Sequence, residues 1–407
     1  MHEALEVLVD LDGAPVRSGL ARFSARRGSL STTFSYDPEY LARPGAYALD
    51  PELPLMSGEH HCLGLPGAFA DCAPDRWGRN LIAKRIAARD RDAGRTPTTV
   101  TDVDYLVGVS DLTRQGALRF RAPGTEDFLE PAHGVPALVE LPRLTAAADR
   151  VAVRDDDIED IKTLLAAGTG TLGGARPKAS IRGEDGQLFI AKFPMPSDDW
   201  DVMAWEKTAL DLAESAGIVV PTRRLVRVGA RRCLLLDRFD RRGLRRRGYV
   251  SAMTLMSARD GNPHDYVELA ELLSESSART NADLRQLYRR IAFSVAVHNT
   301  DDHLRNHGFL RAGAGWTLAP AFDINPNPDQ GERRATSIAG ADRSGEEIEG
   351  LRAAAPDFRL SPGEADRVVH EVLVAAGRWR DAATANGIAH EEIGRMAGAF
   401  ALSRPTI

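Results

Sequence analysis

From Ala4 to about Tyr40, short apolar runs alternate with turn signals such as Asp12-Gly13, the pattern of strands paired as hairpins. Pro74-Asp75 then precedes RWGRNLIAKRIAAR, which predicts a helix. Between Pro123 and Pro142 the pattern weakens and prolines punctuate it, so a domain boundary is expected close to residue 145. Beyond it, IEDIKTLLAAG predicts a short helix, and KASIR and QLFIAKF flank the turn Gly183-Glu184-Asp185-Gly186 as a hairpin. VMAWEKTALDLAESA is helical in composition and stops at Gly217, and RRLVRV and RCLLLDRF predict two strands joined across Gly229-Ala230. The remainder reads as helical. In DLRQLYRRIAFSVAV the apolar residues Leu284, Leu287, Tyr288, Ile291, Ala292 and Val295 follow helical spacing, and the helix runs into a polar cluster at 298–307. Ser361-Pro362-Gly363-Glu364 combines an N-cap, Pro at N1 and Glu at N3 before another apolar face. No segment repeats at a fixed period.

A chain of 407 residues is long enough for two or three domains. With 52 basic and 58 acidic residues the net charge is −6, which gives no global attraction to nucleic acid or anionic lipid. No apolar run approaches the roughly 20 residues of a bilayer span, and the N-terminus lacks a signal-type pattern, so a cytoplasmic protein without membrane contact is expected. Cys62, Cys72 and Cys233 have no C-x-x-C spacing and read as small buried hydrophobes. Lysine is rare: only Lys84, Lys162, Lys178, Lys192 and Lys207 occur, which makes each a candidate for point-charge chemistry.

The densest polar segment is His298-Asn299-Thr300-Asp301-Asp302-His303-Leu304-Arg305-Asn306-His307, and Asp323 follows in LAPAFDINP. Such carboxylates and amides suit a hard, oxygen-ligated cation such as Mg²⁺. Kinases place a catalytic Asp five residues before a metal-binding Asn and a second metal-binding Asp further on, and Asp301, Asn306 and Asp323 keep that order. Taken alone, D-x-x-x-x-N is more often an Asx-rich turn between helices. Its company changes the balance. Upstream, glycines at 168, 170, 173 and 174 offer backbone N–H groups as a phosphate cradle, Lys192 on the following hairpin supplies a cation, and Glu206 on the next helix is an acidic partner for it.

GGARPKA, AKFP, LLLDRFDR, NTDDHLRNHGF and LAPAFDINP, with GLPGAFADCAPDRWGRNLI upstream, together resemble the HipA family of serine/threonine kinases, toxins of bacterial type II toxin–antitoxin systems. The similarity covers most of the chain. It implies an α+β fold: a bilobal, phosphoinositide-kinase-like core with a β-rich N-lobe and a helical C-lobe, preceded by a β-rich N-terminal domain. The expected segments are 1–145, 146–248 and 249–407. The implied cofactors are ATP and Mg²⁺. Asp301 matches the catalytic aspartate, His303 to Asn306 a nucleotide-binding stretch, and Asn306 and Asp323 the metal ligands, with Phe322 beside Asp323. Gly173, Gly174, Ala175, Arg176 and Lys178 match the phosphate loop, Lys192 the phosphate lysine, and Asp237 to Phe239 the hinge against adenine.

The resemblance also implies a protein substrate, with aminoacyl-tRNA synthetases among family targets, and a small helix-turn-helix antitoxin of HipB type as partner. One departure concerns a serine that the well-known member autophosphorylates in its phosphate loop: here Thr171 stands at that position, with Thr169 close by. The loop also carries Arg176 and Pro177 where a Gln-containing version is familiar. Arg238, Arg241, Arg242, Arg245, Arg246 and Arg247 form a basic run that reads either as a solvated face or as a weak contact for DNA backbone or an acidic segment. Two rival classes remain: a degenerate kinase acting as a co-repressor module, and a metal-dependent phosphohydrolase built on His298, His303 and His307.

Overall fold

The structure, a computed structural model, describes residues 3–26, 28–130, 134–153, 158–168, 176–243 and 245–403. By contacts the chain divides into two compact units, Met1–Ser197 with Val226–Val250, and Asp198–Leu225 with Ser251–Ile407.

The first unit opens with strands β1 (Ala4–Leu11), β2 (Ala14–Arg26) and β3 (Ser29–Tyr36), joined to β4 (Glu59–Leu63) and β5 (Leu118–Arg121) in an antiparallel sheet of order β4–β3–β2–β1–β5. Asp12 and Gly13, at φ 54° and 90°, make the two-residue hairpin turn that matches the twist of its strands. Helix α1 (Arg76–Asp92) is capped by Asp75, whose Oδ1 accepts the Gly78 N–H at 2.8 Å. Helices α2 (Leu141–Val153) and α3 (Ile158–Ala166) follow.

A second sheet has the order β6–β7–β9–β8, from β6 (Lys178–Arg182), β7 (Leu188–Lys192), β8 (Arg223–Val228) and β9 (Arg231–Asp237). One core joins these elements: Trp77, Leu81 and Ile82 of α1, Leu144 and Val151 of α2, Ile161 and Leu164 of α3, and Ala179, Ala191 and Leu235 of the strands. Residue 145, where the sequence places a boundary, lies inside α2 and faces this core. The three cysteines are buried, and among the described residues none forms a disulfide.

The arginine run is not the solvated face that its sequence suggests. Arg241–Arg242 (β10) and Arg245–Arg246 (β11) form a small hairpin, but Arg238, Arg241 and Arg246 turn inward, with side chains at most 7% exposed. Asp240 accepts from Arg238 Nη2 and Arg241 Nη1, each at 2.7 Å, and from the Gly116 N–H at 2.9 Å. Arg246 Nη2 donates to Asp111 Oδ2 at 2.9 Å. Against the cost of burial, the two guanidiniums hold the Asp240 carboxyl far below the usual range. These three arginines are therefore neither solvated nor placed for a nucleic-acid backbone. Only Arg242 and Arg245 are exposed within the run.

The second unit is mostly helical: α4 (Val202–Ser215), α5 (Tyr266–Ser276), α6 (Thr280–Ala296), α7 (Glu347–Ala354), α8 (Pro362–Ala376) and α9 (Trp379–Ala385), with the hairpin β12 (Gly308–Ala312) and β13 (Gly315–Leu318). Helix α6 is central, packing on α5, α7 and α8, and every apolar residue picked out by its spacing is buried. Helix α8 starts at Ser361 with the expected capping box. Among the described residues no helix is long and apolar enough to cross a membrane.

Candidate active site

Helix α6 stops because His298 takes a left-handed conformation, φ 48°. The Asn299 N–H then reaches back to the Ser294 carbonyl at 2.8 Å and the His298 N–H to Val295 at 3.1 Å, which satisfies carbonyls the helix leaves open. The chain beyond is pinned by side chains. Asn299 O accepts from Ser294 Oγ at 3.0 Å and from Arg334 Nη2 at 3.3 Å, and Thr300 Oγ1 donates to Glu332 at 3.2 Å.

The two neighbouring aspartates then part company. Asp302 is buried: its Oδ2 accepts the Tyr266 hydroxyl at 2.6 Å, its Oδ1 lies 3.1 Å from His307 Nε2, and its backbone carbonyl accepts from Thr336 Oγ1 at 2.7 Å. Against the desolvation cost, His307, Tyr266 and the charge of Arg334 hold its carboxyl far below the ordinary range. Asp301 is exposed. Partial loss of solvent, with the like charges of Asp323 and Asp302, raises its pKa against the pull of His303. One aspartate is thus fully engaged within the fold, and the other presents a carboxylate of raised basicity.

The backbone around Asp301 is tightly folded. Its carbonyl accepts both the His303 N–H at 3.1 Å and Asn306 Nδ2 at 3.0 Å, so Asn306, on the short turn Leu304–Asn306, is fixed relative to Asp301. His303 has a buried Nδ1 with no hydrogen-bond partner among the described residues. Asp323 sits at φ 59° in a segment tied down on both sides, by Ala321 N–H to Val219 O at 2.8 Å and Asn327 N–H to His298 O at 3.2 Å. Phe322 and Asn306 line the same cavity of about 20 Å³, room for about one water molecule. Asn306 and Phe322 thus share one cavity, and Asp301 is near enough to Asp323 to feel its charge. Hard oxygen donors of this kind fit Mg²⁺ held by one or two carboxylates together with substrate phosphates. Among the described residues no three His, Cys, Asp or Glu side chains gather as ligands of one ion. His298 instead makes a 2.9 Å contact with the Asp329 carbonyl through Nε2, and His307 is bound up with Asp302.

The other candidates lie elsewhere in the chain. Lys192 closes β7 and is buried, with Lys178 directly opposite it across the β6–β7 pair. Lys178 Nζ donates to Asp75 Oδ2 at 2.8 Å. Arg176 is half-buried. Asp237 ends β9, and the Phe239 ring stands 6.3 Å from that of Tyr249. Glu206 is buried on α4. Thr169, Thr171, Gly173, Gly174 and Ala175 lie outside the described residues. Sequence reading passes over Tyr266, Asp302, Arg334 and Asp75; for Asp302 the doubled aspartate is a visible signal, whereas the others come from distant segments.

Comparison with known proteins matches residues 170–379 to the HipA-like C-terminal domain and residues 17–96 to the HipA N-terminal domain. Among solved structures, the chain resembles HipA in the Shewanella oneidensis MR-1 complex of HipA, HipB and operator DNA, with 15% identity, 98% of this chain and 96% of that one covered, and a TM-score of 0.66. A second likeness is to the Helicobacter pylori proinflammatory kinase CtkA, with 13% identity, 58% of this chain and 95% of that one covered, and a TM-score of 0.39.

Proposed function

The chain belongs to the HipA family, and on that premise we propose that it is an ATP- and Mg²⁺-dependent protein serine/threonine kinase, the toxin component of a toxin–antitoxin pair. The observation that carries the reading is the split between Asp301 and Asp302: a buried, fully bonded aspartate anchors the loop while its neighbour stays exposed with a raised pKa. A carboxylate so tuned is a better acceptor for the proton of an attacking hydroxyl. Asn306 and Asp323 would hold Mg²⁺, which would neutralise charge on the phosphates. Lys192 is assigned to the phosphates, and Asp237 to Phe239 to the adenine edge. Catalysis by such residues is positioning and electrostatics, without a covalent enzyme intermediate.

The partner proposed is a small HipB-type protein, through which any DNA contact is made, as suggested by the HipA–HipB–DNA complex to which the chain is similar. The acceptor is proposed to be a protein hydroxyl in the cytoplasm, with Thr171 or Thr169 as sites of self-modification. Calorimetry with ATP and Mg²⁺ tests the reading. Wild type and Asp301→Asn should bind nucleotide, and a Lys192→Ala, Asp323→Ala double variant should not. Wild type that shows no metal-dependent binding would sink the kinase reading and leave a scaffold.

A further inference from the structure

Lys178 and Lys192 are opposed residues of β6 and β7, so their side chains leave the same face of the sheet, and both are buried. Like charges directly opposite one another on a sheet repel. Asp75 bears on that pair. Its side chain is 2% exposed and that of Lys178 3%, with 2.8 Å between Oδ2 and Nζ. The other carboxylate oxygen caps α1 through the Gly78 N–H. The Lys178 ammonium is therefore held beside the N-terminus of a helix, where the backbone dipole disfavours a cation. Buried ion pairs are often no more stabilising than two apolar side chains of similar volume, so stability alone is a weak reason for this one. An ammonium in this place has to be accounted for by its charge.

We propose that Asp75 is a positioning residue of the nucleotide site, holding the Lys178 ammonium beside Lys192 so that the two together meet the phosphates. The inference rests on the kinase reading and extends it: Asp75 falls in the segment matching the HipA N-terminal domain, and both lysines fall in the segment matching the C-terminal domain. The N-terminal domain thus becomes part of the phosphate-binding apparatus. The shared core of α1 with β6 and β7, through Trp77, Ala179 and Ala191, makes α1 a rigid mount for the carboxylate.

The test is steady-state phosphate transfer with ATP and Mg²⁺ in the full chain. Asp75→Asn should raise the KM for ATP about tenfold and change kcat by less than about threefold, the signature of lost ground-state binding. Asp75→Glu should bring KM back toward wild type, a rescue that a merely structural cap would not show. If Asp75→Asn fails to fold, the apolar pair Asp75→Leu, Lys178→Met removes both charges together and should fold with a raised KM. An unchanged KM in whichever variant folds, or an Asp75→Glu no better than Asp75→Asn, overturns the inference and leaves the kinase reading standing. Wild type that neither binds nucleotide nor transfers phosphate overturns both.

Discussion

Replacing Arg334 by Met breaks a fully buried ion pair of the second unit. Arg334 Nη1 donates to Glu347 Oε1 at 2.8 Å with both side chains 1% exposed, and Nη2 reaches Ser294 Oγ at 2.5 Å and the Asn299 carbonyl. Removing the guanidinium strands the Glu347 carboxylate, which costs about 3–5 kcal/mol for a pair of this burial. The lost bonds to Ser294 and Asn299 add about 1 kcal/mol. Removing both charges is a different perturbation: Arg334→Met with Glu347→Leu strands no carboxylate at 347 and should cost no more than about 2 kcal/mol, the lost bonds to Ser294 and Asn299 included. Urea unfolding followed by tryptophan fluorescence reads this unit well, since Trp200, Trp205, Trp316 and Trp379 lie in it and only Trp77 does not. The expected double-mutant cycle has a large single cost and a double cost far below the sum of the singles. A cost under about 1 kcal/mol for Arg334→Met, or strict additivity, would show that Glu347 does not depend on Arg334.

Other outcomes follow from the same structure. Burial pushes the Asp50 carboxyl up to about 6, although the Ala68 and Glu52 N–H groups pull it down. The unfolded value is about 3.9, so between the two the native state holds a proton that the unfolded chain has released. Raising the pH from about 4 to about 7 should therefore destabilise wild type relative to Asp50→Asn, read as a growing gap in thermal midpoint; a constant gap counts against it. Ser361→Ala removes the N-cap of α8 and its capping box with Glu364, and should cost about 1 kcal/mol by denaturant titration. Asp323→Asn should abolish transfer from labelled ATP with an unchanged circular dichroism spectrum, and retained transfer would remove Asp323 from the site.

What could be read from the sequence is what short-range patterns encode. The Asp12-Gly13 turn, the spacing of α6 and the Ser361 cap act within a few residues, and each gave the element observed. The local geometry of the 301–306 segment follows from a similarly short range: Asp301 and Asn306 are locked by a bond across five residues. Features set by distant partners were not. The arginines at 238, 241 and 246 look like a surface stripe until Asp111 and Gly116 arrive from more than a hundred residues away. Residue 145 looks like a boundary because the prolines before it are local, whereas the core that surrounds it joins α1 to β9. The contrast between Asp301 and Asp302 depends on Tyr266 and Arg334, which no local pattern links to them.

The most direct test sets the two neighbouring aspartates side by side. Transfer of the γ-phosphoryl group from labelled ATP and the urea midpoint should be measured for Asp301→Asn and Asp302→Asn. A proton-accepting role for Asp301 predicts that Asp301→Asn keeps the wild-type midpoint and loses transfer, while Asp302→Asn lowers the midpoint because the Tyr266 hydroxyl loses its anionic acceptor and His307 its carboxylate neighbour. Transfer at the wild-type rate by a folded Asp301→Asn would contradict it.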